Sequence, residues 1–206
     1  MKRIILTAIA GLALLSTVSQ GNAAVLLSDN FNSENGGVGT TNYTGFANWS
    51  VTSGSVDLIG NGFFDFYPGN GLYIDLDGST NQPGQLTSHL TFAPGSYVLT
   101  FDLGGNARGD VNKTTDITLG NFSTSLTLAS ASPYQLYTYT FTTTGGNLVF
   151  TDLPGGDQDI GNILDNVTVS STPLPSTWTM LIAGLVGLGF FAYRGSKNRS
   201  AAIAAA

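Results

Sequence analysis

Residues 96–105 read SYVLTFDLGG, and this stretch decides the fold class. Tyr97, Leu99, Phe101 and Leu103 alternate with Val98, Thr100 and Asp102. A period of two puts successive side chains on opposite faces, which is the signature of a strand and not of a helix. The same alternation recurs on both sides of it. In GLYIDLDG, residues 71–78, Leu72, Ile74 and Leu76 share one face while Tyr73, Asp75 and Asp77 share the other. In YQLYTYTFTTT, residues 134–144, Tyr137, Tyr139 and Phe141 lie opposite Thr138, Thr140 and Thr142. Further strand-like runs occupy 25–31, 48–51, 55–59, 85–92, 115–120, 122–128, 147–151 and 163–169.

Turn residues separate these runs: PGNG at 68–71, APGS at 93–96, GGNARGD at 104–110, TGGN at 144–147 and PGGDQD at 154–159. Glycine supplies positive φ and proline presets a turn, so each cluster ends a strand. Many short strands, each with one wet face and no helix for a crossover, predict an antiparallel all-β domain. A two-sheet sandwich of jelly-roll type is expected, with a closed barrel as the alternative.

The chain has 206 residues and no cysteine. Its start, MKRIILTAIAGLALLSTVSQGNAAV, carries Lys2 and Arg3, then an apolar run, then small residues. Gly21 and Ala23 fit the −3 and −1 positions of a cleavage after Ala23, so 1–23 reads as a secretory signal. An exported chain without cysteine has neither disulfide staples nor thiol chemistry. Of the seven basic residues only Arg108 and Lys113 lie between 24 and 172, against all 13 acidic ones. So acidic a body repels phosphate backbones, which excludes nucleic acid as a partner.

The expected organisation is a signal at 1–23, a β-sandwich at 24–170, a linker at 171–177, a transmembrane helix at 178–193 and a basic cytoplasmic tail at 194–206. The 16 uncharged residues from Trp178 to Tyr193 would rise about 24 Å as a helix, slightly short of a hydrocarbon core of about 30 Å. Arg194, Lys197 and Arg199 follow and orient the C-terminus toward the cytoplasm. The run Pro173, Leu174, Pro175, Ser176, Thr177, Trp178, then a glycine-bearing apolar helix and Arg194, resembles a PEP-CTERM sorting signal of Gram-negative bacteria that make extracellular polysaccharide. Leu174 stands where the family signature has glutamate. The resemblance implies an exosortase-type membrane protease as partner, a transient hold in the inner membrane, and release to the cell surface or biofilm matrix. An ordinary single-pass anchor is the alternative.

Candidate chemistry in the body is sparse. His89, the single histidine, has no nucleophile elbow beside it, so a catalytic triad is not expected. Asp75 and Asp77 would lie roughly 6.5–7 Å apart along one strand face. That spacing admits acid/base work on a glycosidic bond, although a solvated strand end fits the following turn better. DNFNSENGG at 29–37 and IGNILDNVTVSS at 160–171 are similar to the two ends of jelly-roll carbohydrate-binding modules, and FAPGSYVLTFDLGGN at 92–106 is similar to their central hairpin. This resemblance implies a structural Ca²⁺ shared by the ends, with Asp29, Glu34 and Asp165 as ligands. Capping of turns by these acids is the alternative.

Sugar stacking needs exposed aromatic faces beside polar groups. Trp49, Phe63, Asp65, Tyr67, Asp75, Asp77 and Arg108 are the expected carbohydrate contacts. If GNGFFDFYPGNG is extended, Phe63, Asp65 and Tyr67 face one side and Phe64 and Phe66 the other. The function expected is that of a structural, adhesive or polysaccharide-binding surface protein without catalysis. A secreted polysaccharide hydrolase or lyase is the alternative.

Overall fold

The computed structural model describes residues 23–80, 82–109, 111–155 and 159–172, the helix backbone over 176–203, and the helix side chains over 180–193. The expected signal at 1–23, except Ala23, and Pro173, Leu174 and Pro175 of the expected sorting motif lie outside the described residues. Ala23–Thr172 forms one compact unit. Its strands, in chain order, are β1 (Val25–Asp29), β2 (Trp49–Ser53), β3 (Asp57–Gly60), β4 (Leu72–Asp75), β5 (Gln85–Phe92), β6 (Gly95–Gly104), β7 (Lys113–Leu119), β8 (Phe122–Leu128), β9 (Gln135–Thr143), β10 (Gly146–Asp152) and β11 (Ile163–Ser171). One turn of 3₁₀ helix, Glu34–Gly37, follows β1.

The strands form two sheets, so the sandwich stands and the barrel alternative falls. The first runs β3-β4-β11-β6-β9, with β1 also paired to β11; the second runs β2-β5-β10-β7-β8. The strand pairs in both sheets are antiparallel. Hairpins set much of this register: β7 returns as β8 through Gly120 and Asn121, with Leu119 opposite Phe122. Gly120 sits at φ +60°, a left-handed position that glycine takes without a Cβ clash.

The core lies between the sheets. Leu72 and Ile74 of β4, Leu99 and Phe101 of β6, and Leu164, Val167 and Val169 of β11 meet Trp49, Leu86, Ile117, Leu148 and Phe150. The Phe101 and Phe150 rings meet edge to face at 5.2 Å between centroids. Each such side chain, fully buried, contributes about 1.5–3 kcal/mol.

One face of each strand was expected to be wet, and at one edge of the first sheet this is not so. All four residues of β3 and all four of β4 are buried. A second apolar cluster of Ile59, Tyr73 and Ile163 covers the outer face, closed by Phe63, Phe66, Tyr67 and Tyr134. A loop over residues 61–71 folds back across the sheet because Asn61, Gly62 and Phe64 take left-handed backbone angles. The Tyr67 hydroxyl fixes it by donating to the carbonyls of Gly105 (2.6 Å) and Ser132 (3.1 Å).

The tail helix α1 runs Ser176–Ile203, so it begins inside the expected linker and continues past residue 193. Among the described residues no helix is long and apolar enough to cross a membrane. Of the expected transmembrane helix over 178–193, the backbone is helical throughout and the side chains are described over 180–193.

Candidate functional site

Because β4 alternates, Leu72 and Ile74 enter the core while Tyr73 and Asp75 face outward beneath the 61–71 loop. Beside them lies a niche of about 70 Å³, lined by Asp57, Ile59, Phe64, Phe66, Asp75, Ser79, Arg108 and Asp159. Arg108 lies 4.7 Å above the Phe66 ring centre and pairs with Asp75. The Arg108 side chain keeps 30% of its surface exposed while Asp75 keeps 2%. Asp75 also accepts hydrogen bonds from the amides of Asp77 (3.1 Å) and Gly161 (2.8 Å). Burial pushes the Asp75 carboxyl up, to about 8, against the pull of Arg108 and these two amides. Asp57 is held by the Ser79 hydroxyl at 2.7 Å and the Asn42 amide at 2.7 Å. The niche therefore offers an aromatic face, a guanidinium and several carboxylate oxygens on a scaffold fixed by hydrogen bonds.

Phe64 stands at its rim with 57% of its surface exposed. The expected contacts are redistributed around it. Trp49 is 1% exposed and packs in the core against Phe31 and Phe150, so it presents no face to a sugar. Phe63 packs edge-on against Phe64 at 4.7 Å and is half-buried. Asp65 accepts from the Tyr73 hydroxyl and the Gly62 amide. Tyr67 stacks on Tyr134 at 4.6 Å. Phe63, Asp65 and Tyr67 thus hold the loop in place, and Phe64 is the aromatic of this loop that faces solvent. The reason is the left-handed turn at Phe64, which breaks the two-residue period that an extended reading needs.

Asp77 does not join Asp75. It is buried at the end of the inter-sheet core, where its Oδ2 accepts from Lys113 Nζ at 2.8 Å. Asp152 Oδ2 lies 3.2 Å from the same nitrogen. The two carboxylates expected to share a face are each engaged by a different cation. Lys113 and Asp152 were not foreseen, although Lys113 takes the inward phase of β7, and one of only two basic residues in the body is a signal in itself.

A larger polar depression of about 340 Å³ is lined by Ser28, Asp29, Asn30, Ser33, Glu34, Ala47, Asn48, Asn166 and Thr168. Asp29 and Glu34, both from the first end of the resemblance, line it, and Asp165 from the other end does not. Asp29 Oδ1 accepts from the Phe31 amide at 2.9 Å, and its Oδ2 accepts from Asn48 Nδ2 and Trp49 Nε1, both at 3.0 Å. Glu34 Oε1 accepts from the Ala47 amide at 3.0 Å. Two carboxylates with hydroxyl and amide oxygens beside them fit two ligands of a hard cation. Among the described residues no group of three or more His, Cys, Asp or Glu suited to a metal forms. Asp165 of β11 is the register partner of Asp102 of β6 instead, and burial, reinforced by Asp102 and Asp29, pushes its carboxyl up to about 7. His89 is held by Ser50 Oγ at 2.9 Å and the Ala47 carbonyl at 3.0 Å.

No protein-family model matches the chain, and no curated protein matches it either. Among solved structures it is similar to the K3 cleaved adhesin domain of Lys-gingipain from Porphyromonas gingivalis w83, with a TM-score of 0.50 and 17% identity over 73% of this chain and 100% of that one. It is also similar to the family 11 carbohydrate-binding module of the cellulosomal cellulase Lic26A-Cel5E of Clostridium thermocellum, with a TM-score of 0.39 and 12% identity over 66% of this chain and 95% of that one. A looser likeness of TM-score 0.37 and 19% identity, over 60% and 91% of the two chains, links it to the CBM36-1 domain of a multidomain xylanase from the hindgut metagenome of Trinervitermes trinervoides. At these identities the likeness speaks to the sandwich fold alone.

Proposed function

We propose that this chain is an exported, non-catalytic surface or matrix protein whose β-sandwich binds a neutral or cation-bridged polysaccharide. The observation that carries this reading is the rim of the Arg108 niche, where an exposed Phe64 stands beside the Phe66–Arg108 stack and the carboxylates of Asp57 and Asp75. Aromatic faces take the apolar faces of sugar rings, and fixed carboxylates and guanidinium groups take their hydroxyls. The acidic surface of the body suits a neutral polymer, and the fold is one shared with an adhesin domain. Asp29 and Glu34 would hold a structural Ca²⁺ in the polar depression, tying the first strand to the segment before β2. The segment from Pro173 to Arg194 supports export through an exosortase-type system, with Pro173-Leu174-Pro175 as the sorting motif.

A glycan-array measurement on the folded body, residues 23–172, beside turnover assays on the glycans it captures, tests the reading. Binding without turnover is expected. Turnover that disappears in Asp75→Asn would replace it with the hydrolase or lyase alternative.

A further inference from the structure

Lys113 opens β7 at its inward phase and is 1% exposed. A buried ammonium is costly unless every proton finds an acceptor. Here the nitrogen donates to Asp77 Oδ2 at 2.8 Å and the Gly155 carbonyl at 3.1 Å, and pairs with Asp152 Oδ2 at 3.2 Å. Both carboxylates are as buried as the lysine. Among the described residues Asp77 Oδ1 and both oxygens of Asp152 have no hydrogen-bond partner, so Asp152 meets the ammonium as an ion pair only. Asn162, fully buried, fixes the strand start by donating to the Lys113 carbonyl at 3.1 Å and to Thr115 Oγ1 at 3.0 Å. So an amine is held against a carboxyl that could acylate it, in a buried site, with a second carboxyl touching the same nitrogen. This is more apparatus than a single ion pair requires.

We infer that Lys113 and Asp77 form an intramolecular amide bond, with Asp152 as the proton shuttle. The reaction needs no oxidant, reductant or external reagent. Asp152 takes a proton from the Lys113 ammonium, and the freed lone pair attacks Cγ of Asp77. One C–O bond of Asp77 breaks as the N–C bond forms. The two protons lost by the nitrogen leave with that oxygen as one water, the second passing again through Asp152. An ammonium and a carboxylate thus become a neutral amide, which removes two charges from a site that solvates them poorly. Burial pushes the Asp152 carboxyl up, to about 7, against the pull of Lys113, so it can both hold and release a proton near neutrality. Asp77 is also pushed up, by burial first, against its contact with Lys113.

The bond would join residues 36 positions apart, one following β4 of the first sheet and one opening β7 of the second. It would be a covalent clamp across the sandwich in an exported chain that has no cysteine for a disulfide.

The test is peptide mapping of the folded full chain after denaturation and trypsin digestion. Arg108 and Lys113 are the only tryptic sites between residues 24 and 172, so an unlinked Lys113 releases the short peptide 109–113. The expected result is loss of that peptide and a branched product carrying Asp77 and Lys113, one water lighter than its parts. Lys113→Arg should restore the sum of masses. Asp152→Asn, which keeps both reacting groups, should leave most chains unlinked. Release of peptide 109–113 from folded wild-type protein overturns the inference. That includes protein lighter by one water, because a cyclised Asp77-Gly78 also loses water but leaves Lys113 open to trypsin. A fully linked Asp152→Asn variant overturns the shuttle role. The wild-type digest is decisive even if a variant does not fold.

Discussion

Asp75 and Asp77 stand two positions apart in the chain, yet Asp75 meets Arg108 on the outer face and Asp77 meets Lys113 at the end of the core. β4 ends at Asp75, and the chain then turns, so the two carboxylates leave the common face that alternation would give them. This divergence separates a surface niche from a buried triad.

Arg108→Ala should destabilise the body by about 1–3 kcal/mol, less than for a fully buried pair because Arg108 is partly exposed. The loss should grow with pH. Asp75 has a folded-state pKa raised to about 8, chiefly by burial, so the site tolerates the protonated acid and must charge as pH rises through that value. Denaturant midpoints of wild type and variant at pH 6 and pH 9 measure this, with the wider gap at pH 9.

Asp165→Asn should stabilise the protein at pH 8 and leave it nearly unchanged at pH 4. The Asp165 pKa is raised to about 7 by burial and by the neighbouring Asp102 and Asp29. A raised pKa contributes stability that is whole below the unfolded value of about 3.9 and is lost as pH rises through the folded one. The gain at pH 8 should be on the order of 1–3 kcal/mol. Thermal midpoints across that range check both the sign and the window.

Phe64→Ala should lower affinity for a bound glycan roughly tenfold, about 1.4 kcal/mol, while changing stability by less than about 0.5 kcal/mol. Trp49→Ala should cost about 3–5 kcal/mol of stability, since it empties a core position packed on Phe31 and Phe150. Calorimetric titration together with thermal unfolding separates the two. Equal effects of both changes on binding at unchanged stability would remove Phe64 from its proposed role.

Chelation should lower the thermal midpoint of the body, and added Ca²⁺ should restore it where Mg²⁺ does not. An ion bound only by the native state stabilises by mass action, and a small, strongly hydrated Mg²⁺ is poorly served by a loose oxygen set. A midpoint indifferent to the chelator would leave Asp29 as a holder of the Phe31 amide and the Trp49 indole only.

Much of the fold is legible in the chain because strand alternation is a local property. Tyr97, Leu99, Phe101 and Leu103 all enter the core from β6 as their spacing predicts. In β11 the same rule needs help. Ile163, Asp165, Val167 and Val169 are evenly spaced, but the register slips by one residue between Asp165 and Thr168. Asn166 takes φ +51° there, a left-handed angle that asparagine tolerates. The bulge turns Val167 to the same side as Leu164 and leaves Ile163 and Asp165 on the other. A one-residue slip of this kind is set by what each face must bury, and spacing does not announce it.

What the sequence by itself determined is the class of element, the places where strands end and the acidity of the body between residues 24 and 172. Each depends on residues near one another in the chain. Tertiary structure decided which acids are paired, and with what. Arg108 reaches Asp75 across 33 positions and Lys113 reaches Asp77 across 36, contacts fixed only once the two sheets close over the core. It also decided that Trp49 is core and Phe64 surface, because exposure belongs to the packed molecule and not to the residue type.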